Sequence, residues 1–184
     1  MIENEFKLML NGQQFELLRG MFAWNAVIEQ TNHYFDTDDL LLFKNHITCR
    51  VREINGEFFL QMKLPTEKSH SRIELGKSLG NTLPESLSGE MLAELWPQRQ
   101  FPDVKLLGAL HTTRYAKDFG GMELDLDKSD YFGNTDYEAE IEFTDEAAAR
   151  DLLATIKEKT GLSDINGDVC KGKVYRFLEA CNKI

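Results

Sequence analysis

The sequence predicts an α+β fold, an antiparallel β-barrel of about eight strands with a polar interior and helices packed outside it. Three observations lead there. Strand-like segments recur with short turn signals between them, led by Asn55-Gly56, a pair suited to a two-residue hairpin. Several of these segments carry a charge at every second residue, and residues two apart share a strand face. Their alternate positions are apolar, and amphipathic helical segments are available to cover them.

The elements follow in order. Residues 1–9 read as a strand, and QQFELLRGMFAW (13–24) as a short helix with Phe15, Leu18 and Phe22 at helical spacing. TNHYFDT (31–37) reads as a strand and DDLLLFKN (38–45) as a helical turn. ITCRVREI (47–54) and EFFLQMKL (57–64) are the two arms of the Asn55-Gly56 hairpin, and SRIELGK (71–77) is a further strand. PESLSGEMLAELW (84–96) reads as a helix. Residues 105–119 and 122–131 read as strands around Gly120-Gly121, and DYEAEIEFT (136–144) as another. DEAAARDLLATIKEKTG (145–161) opens on acids and closes on lysines and Gly161, the polarity a helix dipole favours. VCKGKVYRFLEACNK (169–183) reads as a final helix, with Val174, Phe177, Leu178 and Cys181 as its apolar stripe.

Composition bounds the rest. A chain of 184 residues is expected to form one domain with a real core. Its net charge of -10 disfavours a general nucleic-acid or anionic-membrane binder. No apolar run approaches the ~20 residues of a membrane-spanning helix, and the acidic start does not resemble a secretory signal. Cys49, Cys170 and Cys181 show no metal-ligand spacing, and an odd count argues against a disulfide framework. A reducing cytoplasm is the expected compartment.

The charged faces carry the functional reading. Glu3, Glu5 and Lys7 share one face, Arg50 and Arg52 another, with Lys63 on the neighbouring hairpin arm. Arg72 and Glu74 share a face, and Arg114 sits mid-strand. Glu123, Asp125 and Asp127 share one, as do Glu138, Glu140 and Glu142. Any one of these alone would be read as solvated. Together they are costly, because carboxylates roughly 7 Å apart repel by about 2 kcal/mol per pair at an effective dielectric near 20. Segregated acids and bases suit a polyanion held with a divalent metal. Carboxylates supply hard oxygen ligands for Mg²⁺ or Mn²⁺, and Arg and Lys bind phosphate oxygens.

At this point the residues meet a known family. Glu3-x-Glu5-x-Lys7 resembles the ExExK signature of the CYTH superfamily, the triphosphate tunnel metalloenzymes. The resemblance runs on through HYFDT (33–37), CRVRE (49–53), QMKLP (61–65), SRIE (71–74), TTRY (112–115), LDKSDYFG (126–133), DYEAEIE (136–142) and KGKVYRF (171–177), essentially the whole chain. It is nearest to the small single-domain bacterial members. It implies an eight-stranded antiparallel barrel forming a tunnel, in one CYTH domain over residues 1–184. It further implies Glu3, Glu5, Glu138 and Glu140 as metal ligands, helped by Asp125 or Asp127. Lys7, Arg50, Arg52, Lys63 and Arg114 would cradle the triphosphate, with Arg72 and Glu74 behind them. A basic residue near the C-terminus, Lys173 or Lys171, would complete the cradle.

The implied activity is metal-dependent hydrolysis of a triphosphate, with inorganic tripolyphosphate the expected substrate and Mg²⁺ or Mn²⁺ the expected cofactor. Lys7 and Glu138 are the expected catalytic groups, with either a second metal or a carboxylate such as Glu138 orienting the attacking water; direct attack by water is expected, since no Ser, Cys or His nucleophile has a partner in the sequence. The rivals are a thiamine triphosphatase or class IV-type adenylate cyclase, and a non-catalytic polyphosphate or nucleotide binder. The expected partner is a small triphosphate, with neither nucleic acid nor membrane, and the chain a monomer or homodimer.

Other signals are set aside. Gly167-Asp-Val-Cys-Lys-Gly172-Lys173 matches most of a P-loop, but Val174 stands where Ser or Thr should bind Mg²⁺. Asp164-Ile-Asn-Gly-Asp168 lacks the spacing and terminal Glu of a calcium loop and reads as a turn. His33, His46, His70 and His111 show no metal-ligand interval. Cys49, opposite the Arg50/Arg52 face, is expected to be buried and inert. Tyr34, Phe58 and Phe59 read as core or barrel wall.

Overall fold

Residues 2–68, 71–162 and 171–184 are described by the computed structural model. The strands among them are β1 (Ile2–Leu10), β2 (Ala26–Asp36), β3 (Thr48–Ile54), β4 (Glu57–Pro65), β5 (Ser71–Gly80), β6 (Ser86–Leu87), β7 (Val104–Asp118), β8 (Met122–Tyr131) and β9 (Asn134–Phe143). The helices are α1 (Gly12–Met21), α2 (Leu41–Lys44), α3 (Gly89–Leu95), α4 (Glu146–Thr160) and α5 (Lys173–Ala180). The strands run in the order β2-β3-β4-β5-β1-β9-β8-β7-β6, with β2 also paired to β7. This is the eight-stranded antiparallel barrel expected from the sequence, with the two-residue β6 added beyond β7. None of the described helices is long and apolar enough to cross a membrane.

The chain divides into two compact units, Met1–Ile2 with Gln30–His111, and Glu3–Glu29 with Thr112–Ile184. In the first unit β3 pairs with β2 and β4, and β4 with β5. Asn55 and Gly56 both have positive φ (53° and 80°), the backbone of a type I′ turn, which fixes the β3–β4 register. One face of these strands is apolar. Phe35, Cys49, Val51, Leu60, Met62 and Leu64 pack there with Leu42, Leu87 and Leu92. Burial pushes the Cys49 thiol up, so it is an inert core group. The buried Asp36 of the HYFDT stretch accepts from the backbone N–H groups of Thr37, Leu42 and Phe43 at 2.7, 2.8 and 2.9 Å. It thereby satisfies the opening donors of α2.

In the second unit β9 lies between β1 and β8. Its core joins Leu8 and Leu10 of β1, Leu124 and Leu126 of β8, and Ala139, Ile141 and Phe143 of β9 to Phe15 and Leu18 of α1 and Ala149 and Ile156 of α4. Asn11 and Gln14 form a capping box at the start of α1. Asp145 caps α4, and Gly161 at φ 68° closes it as the sequence predicts. Phe177 and Leu178 of α5 are fully buried.

Several boundaries differ from the sequence reading, three of them for a physical reason. The second strand begins at Ala26 rather than 31, because Ala26–Gln30 lacks the alternation that marks a half-buried strand. The helix expected over 84–96 is the two-residue strand β6, a Ser88 cap and the shorter α3. Gly89 opens α3 where an added Cβ would meet the Phe101 carbonyl oxygen at 1.9 Å, so only glycine fits. The final helix begins at Lys173 with Gly172 as its cap. The Asp164–Asp168 turn, Cys170, His70 and most of the P-loop-like stretch lie outside the described residues.

Candidate functional site

The second unit brings together most of the residues assigned to metal and phosphate. Antiparallel register sets Lys7 opposite Glu140 and Glu5 opposite Glu142. On the other side of β9, Asp127 lies opposite Glu138 and Asp125 opposite Glu140. The apolar alternates face the core, so the acids of three strands are forced onto one side.

Cations are placed among these acids. Lys7 Nζ lies 2.7 Å from Glu140 Oε1 and 3.3 Å from Glu5 Oε1. Arg114 of β7 donates to Asp127 through Nε (2.8 Å) and Nη2 (2.7 Å), and through Nη2 to Glu140 Oε2 (2.7 Å). Lys173, the first residue of α5, lies 2.7 Å from Asp127 Oδ2 and 3.1 Å from Glu140 Oε1, and also pairs with Glu138. Glu140 thus contacts three cations.

The electrostatics follow. Burial alone would lower the Lys7, Arg114 and Lys173 pKa values, but the adjacent carboxylates outweigh it and hold all three well up. Burial would raise Asp127 and Glu140, yet Lys173 and Arg114 hold both below the ordinary carboxylate value, with Lys7 adding to the effect on Glu140. Asp125 behaves differently. It is fully buried, and burial pushes it up to about 7 despite Arg114. Arg114 Nη1 pairs with its Oδ2, but the contact is not directed as a hydrogen bond, and neither Asp125 oxygen accepts one among the described residues.

Among the described residues, two carboxylate groups have the spacing of a cation site. Asp127, Glu138 and Glu140 offer oxygens within 4.8 Å of one another, and so do Glu3, Glu5 and Glu142. All six are hard oxygen donors, which fits Mg²⁺ or Mn²⁺ and not a thiophilic metal. The first trio is buried and already neutralised by Lys7, Arg114 and Lys173. The second is half-buried, with Lys7 beside Glu5.

The two lysines left open by the sequence are separated. Lys173 is buried among the carboxylates. Lys171 is exposed, precedes the Gly172 cap, pairs with Glu179 of α5 at 2.8 Å and lies over the Tyr175 ring. Asp125 and Asp127 both lie in the cluster, and of the two, among the described residues, only Asp127 belongs to a carboxylate trio.

The first unit holds the other basic residues. Arg50 Nε donates to Gln61 Oε1 at 2.9 Å, with Glu74 at 3.8 Å from its Nη2. Lys63 is 3.7 Å from Glu74, its register partner. Arg52 Nε donates to Asn32 Oδ1 at 3.1 Å. Arg72 donates to the Ser71 carbonyl at 2.8 Å. Within this unit a cavity of about 450 Å³ is lined by Arg52, Ile54, Phe59, Leu60, Gln61, Gly76, Lys77 and Ser78. Phe59 of β4 lines this cavity, a barrel-wall position.

Sequence reasoning missed two site groups. Glu142 was on the Glu138/Glu140 face but carried no role, and its register position opposite Glu5 was the available signal. Arg176 donates to Asp136 Oδ2 through Nε at 2.7 Å and pairs with Glu138 through Nη2. Its signal was its position three residues after Lys173, on the same side of a helix.

Residues 1–169 match the family model of the CYTH domain, and the chain belongs to that family. It is 30% identical over 189 residues, covering 99% of this chain and 97% of the relative, to YjbK of Bacillus subtilis (strain 168), a protein named as a proposed triphosphatase. Among solved structures, a proposed adenylate cyclase from Bacillus halodurans superposes with a TM-score of 0.76 at 27% identity, covering 95% of this chain and 96% of that one. The protein HpAC1 from Hippeastrum, a proposed adenylyl cyclase described as having a dominant triphosphatase activity, gives a TM-score of 0.71 at 20% identity over 96% and 95%.

Proposed function

We propose that the chain is a metal-dependent triphosphatase acting on inorganic tripolyphosphate. The observation that carries this reading is the cluster of the second unit. Three cations suited to phosphate oxygens are stored on carboxylates suited to a divalent metal. The relatives named for triphosphatase activity support it.

A bound Mg²⁺ or Mn²⁺ supplies charge neutralisation for phosphate oxygens, and Glu3, Glu5 and Glu142, with Asp127, Glu138 and Glu140, are the residues to hold it. The protein's own part is an exchange of partners. Lys7, Arg114 and Lys173 leave the carboxylates for phosphate oxygens. They then oppose the negative charge that develops on the transferred and leaving groups. Glu138 accepts a hydrogen bond from the attacking water and orients it in line, and Lys7 steadies the chain. In the first unit Arg50, Arg52, Lys63 and Arg72 are the further donors suited to phosphate.

One observation favours a second reading, an organic triphosphate as substrate. The cavity beside Arg52 carries the Phe59 ring and far exceeds what a phosphoryl group fills. The deciding experiment measures phosphate release from tripolyphosphate, thiamine triphosphate and nucleoside triphosphates with Mg²⁺ and with Mn²⁺, together with cyclic-nucleotide detection. Tripolyphosphate as the best substrate supports the first reading. A nucleotide or thiamine ester as best substrate replaces it with the second. Tight binding with no release from any compound overturns both in favour of a non-catalytic binder.

A further inference from the structure

We infer that Arg176 is a positioning residue that holds Glu138 in place while Lys173 changes partner. The inference rests on the triphosphatase reading and goes beyond it by separating two cations that look equivalent in the sequence.

Both oxygens of Glu138 are held from α5. Lys173 Nζ pairs with Oε1 and Arg176 Nη2 with Oε2. The two donors are three residues apart, so they leave the helix on the same side. Their remaining contacts differ. Among the described residues, Lys173 reaches only carboxylates of the candidate site, Asp127, Glu138 and Glu140, each of which is suited to a metal. An ammonium on a flexible stem is suited to exchange such partners for phosphate.

Arg176 is committed elsewhere. Its Nε donates to Asp136 Oδ2 at 2.7 Å, and its Nη1 donates to the backbone carbonyl of Lys171. Asp136 in turn accepts from the Tyr131 hydroxyl. All three nitrogens of the guanidinium are therefore engaged, two of them with groups outside the carboxylate trios. A planar fork fixed at three points does not swing toward an incoming anion without breaking several bonds. Arg176 stays with Glu138 Oε2. When Lys173 leaves for phosphate, only Oε1 is released, in a fixed direction. The carboxylate is turned from a doubly paired group into one with a single aimed oxygen. Partners that orient a ligating or catalytic carboxylate typically matter by about 10–100-fold when removed.

The test compares wild type with Arg176→Gln, Arg176→Lys and Asp136→Asn. It measures kcat and KM for tripolyphosphate with Mn²⁺, Mn²⁺ affinity by calorimetry, and Tm. Arg176→Gln is expected to lower kcat by roughly 10–100-fold with KM changed less than threefold, and to weaken Mn²⁺ by about tenfold. Asp136→Asn, which keeps the shape and the Glu138 contact, should give a smaller fall in kcat at unchanged KM. Arg176→Lys restores charge without the fork and should recover part of kcat. A raised KM with kcat retained would make Arg176 a phosphate ligand and overturn the inference. A lowered Tm with kcat and Mn²⁺ affinity unchanged would make it a helix anchor only, also overturning it. If Arg176→Gln does not fold, Asp136→Asn decides on the same criteria. If wild type releases no phosphate, the triphosphatase reading fails, and Mn²⁺ affinity alone decides the role of Arg176.

Discussion

Lys7 and Glu140 face one another across the β1–β9 ladder, with Nζ and Oε1 2.7 Å apart. The pair is flanked by Arg114 and Lys173, which reach the same carboxylate. Replacing Lys7 by Gln removes one of three cations and leaves Glu140 neutralised by the other two. The expected result is a fold that persists and a kcat/KM for tripolyphosphate lowered by at least about tenfold. Phosphate-release kinetics beside a melting curve check this. Unchanged kinetics would remove Lys7 from the phosphate-binding set.

The same cluster sets a pH dependence. Asp127 and Glu140 have pKa values held below those of the unfolded chain. Their stabilisation is present above the unfolded values near ~4 and is lost as pH falls through the folded ones. Asp125, raised to about 7, has the opposite sign, and its cost grows as pH rises from ~4 to about 7. Glu140→Gln should therefore melt lower than wild type at pH 7 and show a flatter acid limb. Asp125→Asn should gain on wild type between pH 5 and 8. Melting curves across pH 3–8 test both, and parallel curves for all three proteins would contradict the assigned charges.

Metal and anion should stabilise the protein cooperatively. Each takes one half of an existing ion pair, so either alone strands the other half. At about 100 times its dissociation constant a ligand contributes roughly 2.7 kcal/mol. A thermal-shift grid of Mg²⁺ against tripolyphosphate should show the joint shift exceeding the sum of the separate ones. Strictly additive shifts would place the two ligands at independent sites, and equal stabilisation by sulfate would indicate a generic anion pocket.

The register of β3 makes a paired prediction. Arg52 lies on the cavity side, while Glu53 points the other way and pairs with His33 at 3.1 Å. Arg52→Ala should raise KM and lower kcat. Glu53→Gln should leave both within about twofold. Equal losses at the two positions, with stability matched, would reverse the assigned faces.

Asp36 offers a test of the fold alone. Removing it as Ala strands backbone donors of α2 in a buried place, at a cost of about 1–3 kcal/mol. A Tm lowered by roughly 5–10 °C is expected, with the catalytic constants of the folded fraction unchanged. A Tm within 1–2 °C of wild type would show that water replaces the carboxylate there.

Much of this architecture was written in period-two charge. A strand that must bury Leu8 and Leu10 has to put Glu5 and Lys7 on its other side, so the faces of β1, β3, β8 and β9 could be read directly. Pairing between strands could not. Which carboxylates converge depends on register, and that is why Glu142 joins Glu3 and Glu5 rather than Glu138 and Glu140. The α5 residues were hard for another reason. Gly172 ends the approach and Lys173 starts the helix, and a shift of one residue would turn Lys173 and Arg176 away from Glu138. The two-residue β6 was too short to carry a period at all. Core and barrel wall were both open for Phe59, because a ring lining a cavity and a ring in a core have the same pattern in a strand.

A bare basic cleft gathers loosely held anions from the buffer, and a phosphate chain that binds there sets them loose, which makes affinity fall steeply with salt. Lys7, Arg114 and Lys173 have no such dependence on the medium, because their counterions are side chains of the same protein. Displacing Glu140 or Asp127 returns nothing to bulk solution. Chloride should consequently be a weak competitor. On the proposed triphosphatase reading, capture of the phosphate chain would be governed by the supply of divalent cation, whose positive charge would let the carboxylates give up their lysines and arginine.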